Sequence, residues 1–159
     1  MKLIATFEKI NKTVTIDVTS GDIITPREVE FGFQKMFDGN QITLLAYPLE
    51  TILAEKIETI LSRGIASTRP RDYYDVYILL KLKSKQIDFL ALRQALENTM
   101  LKRQSTFNTS DYESILNEIK DSNFQQTLWS KYQKQFSYAK DIDYEEVIAA
   151  SKNMISKVL

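Results

Sequence analysis

The stretch from Leu49 to Lys83 constrains the fold more than any other part of the chain. It reads LETILAEKIETILSRGIASTRPRDYYDVYILLKLK. Its apolar residues recur at the three- and four-residue spacing of an amphipathic helix. Gly64 is a typical residue just past a helix end, and Pro70 is typical of a first helical position. The pattern therefore predicts two helices joined by a short basic connection.

Charged residues lie where these two helices should be apolar. At 100° per residue, Lys56 and Arg63 fall inside the apolar arc of the first helix, whose other members are Ile52, Leu53, Ile57, Ile60 and Leu61. Asp72 and Asp75 fall on or beside the apolar arc of the second helix. The opposite, polar face of the first helix is predicted to carry Thr51, Glu55, Glu58 and Ser62. Because a buried charge is costly unless it is paired, we expect the inward charges to meet one another, a ligand or a wet cleft.

Each of these charges has a functional and a structural interpretation. Lys56 could clamp a phosphate, or its stem could pack inward while its ammonium reaches solvent. Arg63 could bind substrate or simply stabilise a helix end through the macrodipole. Asp72 could act in a site, or satisfy free N–H groups in the first helical turn. Asp75 lacks that explanation and could pair with Lys56, Arg63 or Arg69, holding the helices in register.

Two weaker candidates lie outside the helix faces. Arg69 and Arg71 flank the connection and would suit phosphate or an RNA backbone, although isolated basic pairs are usually only solvated. Asp17, on the polar face of a predicted strand, could complete a set of metal-binding carboxylates. A lone aspartate in such a position is more often only solvated.

The rest of the chain predicts an α+β fold. Residues 2–19 indicate a hairpin with its turn at Asn11-Lys12, and residues 28–47 indicate a second hairpin with its turn at 38–40. The pattern is helical after residue 84, and Ser110 with Glu113 resembles a capping box. We expect a small antiparallel β region of two hairpins followed by a helical bundle. The expected division is residues 1–84, hairpins plus helix pair, and residues 85–159, a helical C-terminal region.

Composition limits the available chemistry. The 159 residues include no cysteine and no histidine, which excludes disulfides, thiolate catalysis and imidazole chemistry. A metal would therefore be a hard ion such as Mg²⁺ held by carboxylates. The 21 basic and 21 acidic residues give zero net charge, so a basic site must be local. No run is long enough to span a membrane, and we expect a cytoplasmic protein.

Three motifs resemble a known family. They are IDVTSGD at residues 16–22, YPLETILAEKIETILSRG at 47–64 and TRPRDYYDVY at 68–77. Together they resemble the second half of the AbiEii/AbiGii nucleotidyltransferase toxins of bacterial abortive-infection and toxin–antitoxin systems. The resemblance is close over residues 10–83 and looser in the helical C-terminal part.

The resemblance implies a DNA polymerase β-like nucleotidyltransferase fold, Mg²⁺, a nucleoside triphosphate, an acceptor such as tRNA and a cognate antitoxin. Lys56 matches the lysine of the family's third motif and Asp72 the aspartate of its fourth, which implies catalytic roles for both. Arg63, Arg69 and Asp75 are expected to bind substrate. Asp17 lies where a metal-binding strand carboxylate would be expected.

One departure from the family pattern bears on activity. The family's first two motifs, a Gly-Ser or Gly-Gly turn and a paired-acid strand, should precede residue 1 and have no replacement elsewhere in the sequence. We therefore expect the C-terminal part of a phage-defence toxin that turns over little or nothing as an isolated chain. The alternative is a non-catalytic helical module that binds protein or RNA and whose inward charges form a structural salt-bridge network.

Overall fold

A computed structural model describes residues 1–18 and 21–159. Its α+β architecture, two antiparallel hairpins followed by a helical bundle, confirms the predicted fold class. The strands are β1 (Lys2–Phe7), β2 (Ile10–Thr15), β3 (Val29–Gln34) and β4 (Gln41–Ala46). The helices are α1 (Leu49–Arg63), α2 (Pro70–Lys83), α3 (Phe89–Arg103), α4 (Tyr112–Asp121), α5 (Asn123–Gln135) and α6 (Tyr144–Val158).

The first hairpin turns earlier than the sequence predicts. Strand β1 pairs with β2 so that Leu3 lies opposite Val14 and Phe7 lies opposite Ile10, which places the turn at residues 8–9. The predicted turn at Asn11-Lys12 is wrong. A turn there would put Val14 opposite a lysine, whereas the observed register collects apolar side chains on one face. The end of the predicted second strand, at residue 19, lies outside the described residues.

Both hairpins leave their apolar faces open. The second pairs β3 with β4 around the predicted turn at 38–40, with Phe31 opposite Leu44 and Phe33 opposite Ile42. These four side chains are exposed, as are Leu3 and its apolar neighbours on the first hairpin. No apolar side chain of the four strands is buried. Each hairpin is therefore held by the backbone hydrogen bonds between its two strands rather than by side chains packed in a shared core.

The predicted helix pair is confirmed at both of its boundary residues. Helix α1 ends at Arg63, and Gly64 follows with φ +50°, a conformation that favours glycine. Helix α2 begins at Pro70 as its first residue, where the missing N–H is not needed. Between them, buried Gln125 of α5 donates hydrogen bonds to the carbonyls of Ile65 (2.8 Å) and Ser67 (2.7 Å). The connection is thus tied to the helical bundle.

The core is helical and spans the predicted division at residue 84. Helix α1 packs on α3 and α2, and α2 packs on α6. The largest fully buried side chains come from both sides of that division: Tyr73, Leu53, Ile57, Ile60, Leu92, Leu96, Leu116, Ile119, Met154 and Ile155. The helices form one apolar cluster. The division into two domains at this position stays a prediction.

Part of the predicted polar face of α1 is covered. Glu58 is buried where α3 packs on α1, and Thr51 is buried and hydrogen-bonded to the backbone of Thr25, whereas Ser62 is exposed. The capping box at residues 110–113 does not form, because α4 begins at Tyr112 after a 3₁₀ turn. The hydroxyl of Ser110 contacts Asp111 instead.

Candidate functional site

The predicted inward charges of α1 and α2 meet. The ammonium of Lys56 donates a hydrogen bond to Asp72 Oδ1 at 2.8 Å and lies 2.9 Å from Asp75 Oδ2. The side chains of Lys56, Asp72 and Asp75 are 20%, 2% and 18% exposed. Helical spacing explains the arrangement, because Asp72 and Asp75 are three residues apart on the face of α2 that meets α1. One lysine therefore bridges two carboxylates at the interface between the helices.

Asp72 keeps one oxygen without a hydrogen bond. Arg69 Nε lies 3.1 Å from Asp72 Oδ2, but the N–H group is not directed at that oxygen, so the contact is an ion pair only. The bond that Asp72 does make is to Lys56 rather than to a backbone N–H group of the first turn of α2. The capping interpretation is wrong for this carboxylate. Its remaining acceptor position is covered by an arginine whose side chain is about half exposed.

The lysine remains charged despite its burial. Burial alone would lower the pKa of Lys56, because a poorly solvated site disfavours the ammonium form. Hydrogen bonds and Coulomb attraction from Asp72 and Asp75 outweigh that effect, and the pKa of Lys56 is raised above its usual value. The side chain is therefore a fixed cation at neutral pH, suited to holding an anion and unsuited to accepting a proton.

A cleft of about 370 Å³ opens beside this lysine. Four cations line it, Lys56, Arg63, Arg69 and Arg103, together with Glu55, Glu58, Asp72, Thr59 and Ser62. The lining is almost entirely polar, which suits a charged ligand better than an apolar one. The cleft is thus bounded by α1, by the start of α2 and by the end of α3.

Sequence reasoning missed Arg103 and its partner Glu58. The Arg103 guanidinium donates to buried Glu58 and, at 3.0 Å, to Thr59 Oγ1, while Ser105 Oγ donates to Glu58 at 2.7 Å. Arg103 lies in the last turn of α3, where a cation is ordinary, and Glu58 lies 45 positions earlier. In the sequence, the only sign of this pair was Glu58, and a glutamate on the predicted polar face of α1 is ordinary. The structure shows that α3 packs on that face and buries Glu58, which then needs a cation as its partner.

The other predicted residues, Arg63, Arg71 and Asp17, make no ion pair with Lys56 or Asp72. Arg63 lines the cleft but is exposed, so the expectation that it faces inward is wrong; it is the last residue of α1. Arg71 Nε lies 3.6 Å from Asp75 Oδ2 on the outer side of α2. Asp17 is exposed, follows the end of β2 rather than lying in a strand, and does not line the cleft.

The residues at the cleft do not by themselves fit a magnesium site. Among residues 1–18 and 21–159, no three acidic side chains cluster closely enough to hold a metal ion. Asp72 and Asp75 are each engaged by cations, which would repel a second positive charge. The arrangement can bind and orient an anion, and no step through a metal follows from it.

Comparison with known proteins assigns the family. The sequence profile described as nucleotidyl transferase AbiEii toxin, Type IV TA system, matches residues 1–150. The chain belongs to the AbiEii toxin family. No curated protein and no solved structure matches it.

Membership of the AbiEii family gives the cleft a context. It supports a nucleotidyltransferase-like role in a type IV toxin–antitoxin system and implies a nucleotide substrate and an antitoxin partner. Lys56 and Asp72, which the family resemblance singles out, both line the cleft and are joined by a hydrogen bond of 2.8 Å. Within the described residues, no helix is both long and apolar enough to cross a membrane.

Proposed function

We propose that this AbiEii chain binds the phosphates of a nucleoside triphosphate in the cleft beside Lys56, as part of a cytoplasmic nucleotidyltransferase toxin site. The observation that carries the proposal is the lysine fixed 2.8 Å from Asp72 and 2.9 Å from Asp75 at the wall of a cleft with three further cations. A triphosphate carries several negative charges, and a rigidly held cation can neutralise them without reorganising.

Each residue has a distinct part in this proposal. Lys56 contacts the phosphates, and Asp72 holds the lysine in place. Arg69 covers Asp72 Oδ2, and its side chain is about half exposed. It therefore has room to turn toward a phosphate when nucleotide binds. The uncovered carboxylate oxygen then accepts a hydrogen bond from the acceptor hydroxyl and assists its deprotonation. Arg63 adds a cation at the cleft rim, and Asp75 orients Lys56 from the other side.

Nucleotidyltransferases of this kind usually use a divalent metal, and the described residues do not gather the carboxylates that would hold one. Transfer to an acceptor such as tRNA is therefore not assigned to the residues of this cleft alone. Asp17 would join such a set only if further acidic residues were brought beside it. The proposal for this chain is therefore nucleotide binding and positioning, and it is tested by binding rather than by turnover.

A second candidate function has its own support. Lys56 already has two carboxylate partners, and Arg103 has Glu58, so the charges are satisfied without any ligand. On this interpretation the network only fixes the helices of a non-catalytic module that binds a protein such as an antitoxin, or an RNA.

Nucleotide-induced stabilisation separates the two candidates. GTP or CTP with Mg²⁺ should raise the melting temperature of the chain, because a ligand that binds only the folded state stabilises it. Arg63→Ala should reduce the increase and Lys56→Ala should abolish it. Arg63 is the sharper variant because it is exposed and makes no ion pair with a described residue, so its loss should lower the unliganded melting temperature only slightly, through the missing cation at the end of α1.

The matched control is Lys85→Ala, which removes an exposed lysine beyond the far end of α2. Its nucleotide-induced increase should equal that of the wild type. An increase of the same size in wild type, R63A and K56A would assign binding to another surface. No increase with any nucleoside triphosphate would favour the structural network.

A further inference from the structure

Arg103 lies on the α3 side of the cleft, whereas Lys56 contacts α2. It is in the last turn of α3, it lines the cleft, and its side chain is 39% exposed. An arginine side chain is not deprotonated in proteins, so this cation is permanent. The proposed function places phosphates beside Lys56 and gives Arg103 no part.

A buried carboxylate fixes the guanidinium of Arg103 from one side. The side chain of Glu58 is only 5% exposed; one of its oxygens accepts a hydrogen bond from Arg103 Nη1, and the other accepts one from Ser105 Oγ at 2.7 Å. Thr59 Oγ1 accepts a further hydrogen bond from Arg103 Nη1 at 3.0 Å. Both oxygens of Glu58 are thus engaged, and Glu58 orients Arg103 much as Asp72 holds Lys56.

The other nitrogens of the guanidinium keep donors for a ligand. Within residues 1–18 and 21–159, all the hydrogen bonds that Arg103 makes come from Nη1. Nη2 lies 3.9 Å from Glu55 Oε2, which is an ion pair beyond hydrogen-bond distance. A guanidinium presents five N–H donors in a rigid planar fork, and the donors left over here suit the oxygens of a phosphate.

Lys56 and Arg103 lie within reach of one extended anion. Thr59, which accepts a hydrogen bond from Arg103, is three residues after Lys56 on α1. Residues at that spacing are neighbours on a helix surface, with Cβ atoms about 5–6 Å apart. A single phosphate can bind at Lys56 alone, whereas a chain of linked phosphates can contact both cations.

Glu55 is the carboxylate of the cleft that such a ligand would displace. The other two carboxylates of the lining, Glu58 and Asp72, are 5% and 2% exposed and are hydrogen-bonded to their cations. Glu55 is 31% exposed, and among the described residues its carboxylate contacts no cation other than Arg103, at 3.9 Å. Its contact with Arg103 is therefore weak, while its negative charge opposes an anion at the same place.

We propose that Arg103, oriented by Glu58, forms a second phosphate-binding position of the cleft, and that Glu55 moves aside when a phosphate binds there. The cleft then selects a chain of linked phosphates, with one end at Lys56 and the other at Arg103, over a single phosphate. This inference rests on the proposed function, because it specifies how the same cleft holds a triphosphate.

The test is isothermal titration calorimetry of the full chain with inorganic triphosphate and with inorganic phosphate, in EDTA and at constant ionic strength. These probes lack a base and a ribose, and EDTA removes divalent metals, so the affinity reports the contacts between phosphates and side chains. Triphosphate should bind at least about tenfold more tightly than phosphate, because it gains the charge-assisted hydrogen bonds of Arg103.

Arg103→Lys separates the shape of the guanidinium from its charge. A lysine keeps a cation beside Glu58, but an ammonium lacks the second edge of a planar fork that would bind a phosphate. R103K should weaken triphosphate binding about fivefold and change phosphate binding by less than about twofold. It should retain a cooperative melting transition, because Glu58 keeps a cationic partner.

Glu55→Gln tests the displaced carboxylate through a gain of affinity, which does not depend on how well R103K folds. Removing a negative charge about 4 Å from the bound phosphate should strengthen triphosphate binding about threefold. Glu118→Gln is the matched control, because it makes the same change at an exposed residue of α4 that does not line the cleft. E118Q should bind triphosphate as the wild type does.

The inference is overturned if R103K binds triphosphate as tightly as the wild type, if phosphate binds as tightly as triphosphate, or if E55Q gains no more than E118Q. Its failure is distinguishable from failure of the nucleotide proposal. Unchanged triphosphate binding by R103K, together with a nucleotide-induced melting-temperature increase that K56A abolishes, would refute only the second phosphate position. Triphosphate binding that depends on Arg103 in a chain that no nucleoside triphosphate stabilises would support that position and refute the nucleotide site.

Discussion

Replacing Lys56 with methionine tests whether the bridge between α1 and α2 is a buried ion pair. Methionine keeps most of the length of the lysine stem and removes only the charge. The substitution leaves Asp72, whose side chain is 2% exposed, and Asp75, at 18%, without their shared cation. A charge that stays buried after its partner is lost is a major source of destabilisation.

The expected magnitude follows from what remains around the two carboxylates. Breaking a fully buried ion pair destabilises a protein by about 3–5 kcal/mol. Here Arg69 still lies 3.1 Å from Asp72 and Arg71 lies 3.6 Å from Asp75, and the lysine itself is 20% exposed. We therefore expect a loss of about 2–3 kcal/mol in the free energy of unfolding. For a chain of this size that lowers the melting temperature by about 5–10 °C.

Urea denaturation of a double-mutant cycle provides the assay. The variants are Lys56→Met, Asp72→Asn and the two combined. The double variant should be more stable than the sum of the single losses predicts, with a coupling of at least about 1 kcal/mol. Lys85→Met is the control, and it should change stability by less than about 0.5 kcal/mol because that residue is exposed. A loss below about 0.5 kcal/mol in K56M, with no coupling to Asp72, would refute the argument.

Three further substitutions or conditions test other parts of the structure. Gln125→Glu places a carboxylate against two carbonyls at a buried site and should cost about 2–3 kcal/mol by urea denaturation, whereas Gln126→Glu, which loses one exposed hydrogen bond to the Lys120 carbonyl, should cost under about 1 kcal/mol. Arg103→Met leaves buried Glu58 without its cation and should cost about 2 kcal/mol; an unchanged melting temperature would contradict the buried pairing. Because the folded-state pKa of Lys56 is raised, its contribution is fully present below its unfolded pKa and is lost as pH rises through the folded value. The stability difference between wild type and K56M should therefore shrink above about pH 10.5, and a difference that stays constant there would contradict the shift.

The helix pair was predictable because its signals are local. A glycine past one helix end, a proline at the next start and charges inside an apolar arc all lie within one short stretch. The expectation that the inward charges would meet one another, a ligand or a wet cleft followed from the cost of burying them. Which partner Lys56 would choose did not follow, since Arg63 and Arg69 were equally available to Asp75 until the end of α1 placed Arg63 in solvent.

The parts that could not be predicted depend on contacts between distant segments. Glu58 reads as a solvated residue until α3 covers it, and Arg103 is its partner across 45 positions. The groove between the start of α2 and α5 arises in the same way, because Lys131 and Phe136 reach Arg71 at the start of α2 only through packing of the bundle. The hairpin turn failed for another reason: cross-strand matching of apolar side chains prevailed over the usual preference for asparagine at a turn.

The open apolar faces of the two hairpins have a consequence for how the chain loses its structure. An isolated two-stranded hairpin is marginally stable in water, while the helices share one cluster of buried apolar residues. The strands should therefore open and close many times while α1 to α6 stay folded, so their amide hydrogens exchange with solvent through local opening. A protein that covers those faces would slow exchange first at Leu3, Phe31 and their neighbours, far in sequence from the cleft.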